Sequence, residues 1–123
     1  MINKALRILI ADEQHFYRMK TERLFNQLGY YRVAPVQSLA EMLTLVEYGC
    51  EPFDLVVINA SLAGGALDLS AFFLDNRQVR HALIYAAAPP DLASIQRLMT
   101  LIDPPACEAA PSLNQERYRQ RTG

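Results

Sequence analysis

The sequence lacks several features that would assign a function directly. Its 123 residues include only two cysteines, Cys50 and Cys107, which are too few for a disulfide framework and lack metal-site spacing. The formal net charge of −1 gives no reason to expect binding to nucleic acid or to an anionic membrane. No apolar stretch approaches the length of a membrane span. The first apolar run is too short for a signal peptide and is followed by acidic residues, so we expect a cytoplasmic protein.

Motifs for phosphate cradling and for hydrolysis are also missing. No G-x-G-x-x-G sequence opens a helix, and no P-loop lysine is present, so Gly64 and Gly65 indicate a loop turn. Ser61 and Ser70 lack the surroundings of a hydrolase nucleophile. The two histidines are far apart in the sequence, and neither lies beside a candidate nucleophile. We therefore predict that the protein is not an enzyme.

The composition is that of an ordinary globular domain. Hydrophobic residues make up 51% of the chain and charged residues 20%, and the length is sufficient for one compact core. The chain contains no repeat, no low-complexity segment and no internal linker. We therefore predict one domain spanning residues 1–123.

Apolar runs alternate with amphipathic stretches along the chain. The pattern predicts strands at 5–11, 31–36, 55–59 and 82–87, and a short fifth strand at 106–110. Helices are predicted at 14–28, 38–48, 67–76 and 91–103, and residues 112–123 form a weakly patterned C-terminal helix or tail. This alternation predicts an α/β domain in which a doubly wound parallel sheet carries helices on both faces.

Local signals mark the ends of these elements. Ser38 and Glu41 have the spacing of a capping box at the start of the second helix. Gly29 and Gly49 follow the first two helices as C-terminal stops. Pro35 lies within the second strand, which favours a short strand near a sheet edge, because proline cannot donate a backbone hydrogen bond.

The carboxyl ends of the strands are the positions to inspect, because ligands of open parallel sheets bind beyond those ends. The residues at these ends are Asp12 and Glu13, Asn59, Ala86 and Ala87, and the residues near Ala110. An aspartate after the third strand would be a candidate nucleophile or metal ligand. The asparagine that stands there cannot readily be either.

Four segments resemble, in order and spacing, the landmarks of the response-regulator receiver domain. They are ILIADE at 8–13, DLVVINASLAGG at 54–65, ALIYAAA at 82–88 and AAPSL at 109–113. The resemblance covers nearly the whole chain and implies a flavodoxin-like, five-stranded, doubly wound sheet. In that family an acidic pair and a third aspartate hold magnesium, and the third aspartate accepts a phosphoryl group. A threonine or serine after strand four and a lysine after strand five contact that group.

The resemblance places the family's site on five residues of this chain. The acidic pair falls on Asp12 and Glu13, the phospho-acceptor on Asn59, the hydroxyl position on Ala86 and the lysine position on Ala110. Three of the five therefore depart from the family's pattern. The Asn59 amide is neutral and a poor nucleophile, so no acyl phosphate can form from it. The two alanines supply neither a hydroxyl nor an ammonium group to stabilise a phosphoryl group.

These departures predict an atypical receiver, or pseudo-receiver, in two-component signal transduction or a phosphorelay. Such a module acts through phosphorylation-independent protein–protein interaction. One alternative is a receiver that is phosphorylated at another residue or altered at its reactive positions. Another alternative is a small nucleotide-binding or enzymatic α/β domain that uses the same crevice.

The acidic pair leaves open a weak metal site. Asp12 and Glu13 offer two carboxylates, but Asn59 adds only a neutral oxygen, so we expect magnesium to bind weakly or not at all. The ordinary alternative is a solvated acidic turn that favours the N-terminus of the next helix. The Asn59 side chain can donate and accept, so it could bond to Asp12 or to loop N–H groups and hold the site in one state. We then expect Asn59→Asp to lower metal-free stability and to raise magnesium affinity.

The resemblance also implies an interaction surface. In the family, the face built from helix four, strand five and helix five commonly mediates contacts. In this chain that face would include Leu98, Met99, Cys107 and Tyr118. The expected partner is a signalling protein, such as a kinase or an effector, or a second copy of the chain in a homodimer.

Overall fold

Four parallel strands form one sheet in residues 3–65 and 67–104, the part of the chain that this computed structural model describes. The strands are β1 (Ile8–Ala11), β2 (Val33–Val36), β3 (Leu55–Asn59) and β4 (Ala82–Tyr85). The helices are α1 (His15–Gln27), α2 (Leu39–Tyr48), α3 (Leu69–Leu74) and α4 (Leu92–Ile102), and a short 3-10 helix, Ala60–Leu62, follows β3.

The sheet has the strand order β2-β1-β3-β4, and every neighbouring pair is parallel. The chain moves outward from β1 to β2 and then crosses to β3 on the other side of β1. The order therefore reverses between β1 and β3, where open α/β sheets form their ligand crevice. The predicted α/β architecture with a parallel sheet is confirmed. The predicted fifth strand at 106–110 and the C-terminal segment 112–123 lie outside the described residues.

Two hydrophobic clusters pack on opposite faces of the sheet because side chains alternate along each strand. Ile8 and Ile10 belong to the cluster that includes residues of α1 and α4, whereas Leu9 and Ala11 belong to the cluster that includes residues of α2 and α3. Every residue of β1 and β3 is buried. Burial on both faces explains why these two strands are continuous apolar runs rather than alternating ones.

β2 lies at one end of the described sheet, as the proline in its sequence predicts. Pro35 is exposed and pairs with Ile10 of β1. The strand begins at Val33 rather than at Tyr31, whose side chain is largely exposed. A proline is tolerated at this position because a strand at the end of a sheet has one side free of ladder hydrogen bonds.

Side-chain caps open α2 and α4. The Ser38 hydroxyl accepts a hydrogen bond from the Glu41 N–H at 3.1 Å, which confirms half of the predicted capping box. The Glu41 carboxylate in turn accepts from the Gln37 N–H at 2.9 Å, one residue before the cap. At α4, the Asp91 carboxylate accepts from the Ser94 N–H at 2.9 Å. Each cap satisfies a backbone donor that a helix N-terminus leaves without a partner.

Two glycines end helices for different physical reasons. Gly29 has a φ of 100°, and the Tyr30 N–H reaches back to the Phe25 carbonyl at 2.9 Å, which closes α1 in the predicted way. Gly49 directly follows the last residue of α2, as predicted, but its backbone is extended, with a φ of −72°, rather than left-handed. A Cβ at Gly49 would lie 2.5 Å from the Leu45 carbonyl oxygen. The end of α2 therefore needs glycine for close backbone approach.

Other elements are also shorter than the sequence pattern predicts. β1 covers Ile8–Ala11 within the predicted range 5–11. β4 ends at Tyr85, so Ala86 and Ala87 lie in the bend that follows the strand. α3 covers Leu69–Leu74 within the predicted range 67–76. None of the helices formed by residues 3–65 and 67–104 is long and apolar enough to cross a membrane.

Candidate functional site

Three polar side chains meet at the carboxyl edge of the sheet. The strand register pairs Ala11 with Ile58 and Asn59 with Tyr85. Asp12, the residue after Ala11, therefore lies in the same row as Asn59 and Tyr85 across three neighbouring strands. Because side chains alternate along a strand, all three are directed toward the face that carries α1 and α4. We call Asp12, Asn59 and Tyr85 the strand-end cluster.

Asp12 is the acceptor at the centre of this cluster, and it is completely buried. Its Oδ2 accepts hydrogen bonds from the Asn59 Nδ2 at 3.3 Å and from the Tyr85 hydroxyl. Its Oδ1 accepts from the Gln14 backbone N–H at 2.9 Å, a local turn that leads the chain into α1. A buried carboxylate is tolerated only when hydrogen bonds replace its lost hydration, and these three donors provide that replacement.

Asn59 joins the third strand to the first. Its Nδ2 donates to Asp12, and its Oδ1 accepts from the Ser61 N–H at 3.0 Å at the start of the 3-10 helix. An asparagine here was expected to bond either to Asp12 or to a loop N–H, and the structure shows both bonds. With 5% of its surface exposed, Asn59 is a buried polar residue whose donor and acceptor both have partners.

Tyr85 is the member of the cluster that the sequence analysis missed. The receiver resemblance assigns the hydroxyl position to Ala86, the next residue along the chain. Burial, the hydrogen bond to Asp12 and the negative charge of that carboxylate together raise the pKa of the Tyr85 hydroxyl well above its ordinary value. The hydroxyl therefore remains protonated and acts as a donor. A register that aligns Tyr85 with Asn59 is the signal that would have identified it.

The structure separates the two acids of the predicted pair. Asp12 is buried, whereas Glu13 is exposed. The solvated acidic turn therefore describes Glu13 and is wrong for Asp12. On the solvent side, Arg18 donates to the Asp12 carbonyl oxygen at 2.7 Å and lies 3.3 Å from the His15 Nδ1. These contacts fix the start of α1 next to the cluster.

The strand-end cluster does not fit a magnesium ion. Magnesium requires oxygen lone pairs that point at it in near-octahedral geometry. Here both Asp12 oxygens face N–H or O–H donors, and the Asn59 oxygen accepts a backbone N–H. Within residues 3–65 and 67–104, no three His, Cys, Asp or Glu side chains gather into a group that could hold a metal ion. The expected pairing of Asp12 with Glu13 as metal ligands is therefore not supported.

The other positions assigned by the resemblance add no reactive group in the described residues. Ala86 is exposed in the bend after β4, and its methyl group cannot donate a hydrogen bond. Ala110, the expected lysine position, lies outside the described residues. The donor that reaches the site from the fourth strand is the phenol of Tyr85, one residue before the expected hydroxyl position.

The expected interaction surface needs one correction. Met99 is only 4% exposed and packs in the core cluster that contains Ile8 and Ile10, so it is not available to a partner. Leu98 is partly buried against the same cluster. Its neighbour Leu101 is 80% exposed. Cys107 and Tyr118, the remaining expected interface residues, lie outside the described residues.

A concave feature lies on the surface beside α3. It is an open depression of about 570 Å³ that none of the strand-end cluster lines. The residues that line it are Leu67, Asp68, Ala71, Phe72, Asp75, Asn76, Arg77 and Gln78. These side chains include no base–nucleophile pair, so the depression suggests no chemistry.

Comparisons with known proteins do not assign the chain. It matches no protein-family model, and no curated protein matches it. Only the fold and the contacts of the strand-end cluster therefore bear on function.

Proposed function

We propose that this protein is an atypical receiver domain, a signalling module that binds a protein partner without being phosphorylated at the strand-end site. The strand order β2-β1-β3-β4 agrees with the first four strands of the flavodoxin-like order. A buried acid follows β1, and a polar residue ends β3, on the two sides of the switch point. The proposal includes a fifth strand at 106–110, which lies outside the described residues.

The observation that carries the proposal is that the Asn59 amide is already hydrogen-bonded on both sides. The residue stands where a receiver has its phospho-acceptor, and its amide is neutral and already engaged by Asp12 and by the Ser61 N–H. Attack on phosphorus needs an activated nucleophile, and an amide oxygen is a poor one. Phosphoryl transfer also needs fixed groups that stabilise the developing charge, and Ala86 supplies none.

Such a module signals through the availability of its partner rather than through a change of charge. A ligand or partner shifts a protein's conformational equilibrium only by its differential affinity for the states involved. Partner concentration, or a ligand that favours one state, would therefore regulate this domain. The partner in this proposal is a kinase, an effector or a second copy of the chain. The described part of the binding surface is the outer side of α4 around Leu98 and Leu101.

A phosphodonor experiment tests the chemical half of the proposal. The purified protein is incubated with magnesium and a small acyl phosphate or phosphoramidate, and its intact mass is measured. We expect the mass to stay unchanged. A stoichiometric phosphoryl adduct would contradict the proposal, and peptide mapping of that adduct would show whether the receiver is phosphorylated at another residue.

Self-association tests the surface on α4. Light scattering over a range of concentrations measures the molar mass of the wild-type protein and of Leu101→Lys. We expect a dimer that the substitution weakens, because a desolvated lysine charge opposes burial of the interface. Leu74→Lys is the matched control, since Leu74 is 85% exposed at the end of α3, away from α4. A wild-type monomer at high concentration would exclude the second copy as the partner.

A further inference from the structure

Tyr85 and Asn59 share one oxygen atom of Asp12. The Tyr85 hydroxyl and the Asn59 Nδ2 both donate to Asp12 Oδ2, from β4 and from β3. The acceptor itself follows β1. The cluster therefore connects three neighbouring strands at their carboxyl ends through a single buried carboxylate.

Hydrogen-bond donors already take most of the positions at which a divalent cation could bind this carboxylate. A carboxylate has about four lone-pair directions, and three donors point at Asp12 in the part of the chain that the structure describes. Each of these donors directs its hydrogen at an Asp12 carboxylate oxygen, where a bound cation would otherwise lie. A cation beside Asp12 Oδ2 would have to displace the phenol hydroxyl, the amide or both. Either displacement would leave a buried donor without its partner.

We propose that Tyr85 is a positioning residue that closes the strand-end site against divalent cations, and that it does so together with Asn59. The two donors take the role that a bound cation would otherwise have, because they hold the Asp12 carboxylate and join the three strands. Either donor alone still opposes cation binding, so removing one of them opens the site only in part. The closure is a property of the site itself and does not depend on whether the domain binds a partner.

The two single substitutions leave different parts of the closure in place. In Tyr85→Phe the Asn59 amide still donates to Asp12, and the site still has only one buried carboxylate. In Asn59→Asp a second carboxylate is added, but the Tyr85 hydroxyl remains to donate to Asp12. Only the double variant combines two carboxylates with an Asp12 Oδ2 that accepts no hydrogen bond from residue 59 or 85. Carboxylate oxygens of this kind are the ligands that magnesium and manganese prefer.

Manganese binding tests this inference directly. Free Mn²⁺ is measured by electron paramagnetic resonance during titration of the wild-type protein, both single variants, the double variant and Tyr48→Phe. Tyr48→Phe is the control, because the Tyr48 side chain is 82% exposed and lies on α2. We expect the wild type and the control to bind no Mn²⁺ at millimolar concentration. We expect the double variant to bind at least about tenfold more tightly than either single variant.

Thermal unfolding with and without Mn²⁺ provides a second measurement on the same proteins. We expect Mn²⁺ to raise the midpoint of the double variant and to leave those of the wild type and of Tyr48→Phe unchanged, because only a ligand of the folded state stabilises it. Wild-type binding as tight as that of the double variant would overturn the inference. A folded double variant that binds no Mn²⁺, or a Tyr85→Phe variant that binds as tightly as the double, would also overturn it.

A measurement on the wild-type protein covers the case in which the double variant does not fold. The chain contains six tyrosines and no tryptophan, so its near-ultraviolet circular dichroism is sensitive to the surroundings of tyrosine. We expect magnesium at millimolar concentration to leave this spectrum unchanged. A saturable spectral change that is absent in Tyr85→Phe would mean that the cation displaces the Tyr85 hydroxyl, and it would overturn the inference.

Discussion

Asp12 shows how a single residue can keep its chemical identity and change its role. Its carboxylate is buried and accepts hydrogen bonds from Gln14, Asn59 and Tyr85. In a metal site the same carboxylate would face a cation. The difference comes from its neighbours: an amide stands at position 59, and a phenol reaches in from β4. The side chains next to Asp12 therefore decide which chemistry the site allows.

Asn59→Asp tests the electrostatic contribution of the amide. The substitution replaces a donor 3.3 Å from Asp12 Oδ2 with a second buried carboxylate. Two carboxylates that share a buried site repel each other, so we expect the free energy of unfolding without metal to fall by about 2 kcal/mol or more. Chemical denaturation in the presence of a chelator measures it. Magnesium should recover a small part of the loss while Tyr85 keeps its hydroxyl. Unchanged stability together with unchanged magnesium affinity would reject the role given to Asn59.

Thr21→Val addresses a buried hydroxyl in α1. Thr21 is completely buried, and its Oγ1 has no hydrogen-bond partner among residues 3–65 and 67–104. Valine has nearly the same shape and removes the desolvated hydroxyl, so we expect the free energy of unfolding to rise by about 1 kcal/mol.

The matched control for this substitution is Thr44→Val in α2. The Thr44 hydroxyl is exposed and donates to the Ala40 carbonyl at 2.9 Å. We expect the control to change stability by less than about 0.5 kcal/mol. Urea denaturation followed by circular dichroism measures both variants. A destabilised Thr21→Val would mean that the buried hydroxyl is bonded in solution.

At the scale of the element, the end of α2 depends on the absence of a side chain. Gly49 has a φ that any residue can adopt, so the restriction is steric rather than conformational. A Cβ at this position would lie 2.5 Å from the Leu45 carbonyl oxygen, which belongs to the helix backbone and cannot rotate away. The helix must therefore distort its last turn to accept any larger residue.

Gly49→Ala should accordingly destabilise the protein. Forcing extra atoms into a packed position costs about 1–3 kcal/mol, and we expect a loss of unfolding free energy in this range. Urea denaturation measures it, and an unchanged dependence of that free energy on urea concentration would confirm that the unfolded state is unaffected. Stability equal to that of the wild type would show that α2 ends differently from the structure.

At the scale of the whole molecule, a single hydrogen bond joins the first and last described helices. Tyr30 follows α1 and is almost completely buried, and its hydroxyl donates to the Asp103 carboxylate at 2.7 Å just after α4. Burial, this hydrogen bond and the charge of Asp103 raise the pKa of Tyr30 well above its ordinary value. The folded state therefore holds the Tyr30 proton more tightly than the unfolded state does.

This difference predicts how stability depends on alkaline pH. A pKa that folding raises stabilises the protein fully below the unfolded value of about 10, and this stabilisation is lost as pH rises through and beyond that value. We expect the advantage of the wild type over Tyr30→Phe in unfolding free energy to be largest below about pH 10 and to shrink above it. Urea denaturation at several pH values measures the difference. Tyr31→Phe is the control, because Tyr31 is 65% exposed, and an equal pH dependence in both variants would contradict the prediction.

The sequence by itself determined the order of strands and helices, because continuous apolar runs and helical stripes reflect burial within each segment. It also determined what the strand ends lack, because an amide at 59 and an alanine at 86 have their chemistry whatever the fold. Ser38, Asp91 and Gly29 marked helix ends through bonds to residues a few positions away. In each case the signal and its cause lie close together in the chain.

Only the tertiary structure decided that Asp12 is buried and that Tyr85 is its partner. The bonds that Asp12 makes with Asn59 and Tyr85 join residues 47 and 73 positions apart. Their formation depends on the register of three strands, since a shift by one residue would direct Tyr85 to the opposite face. That register is set by the packing of helices on both faces of the sheet, which no single segment contains.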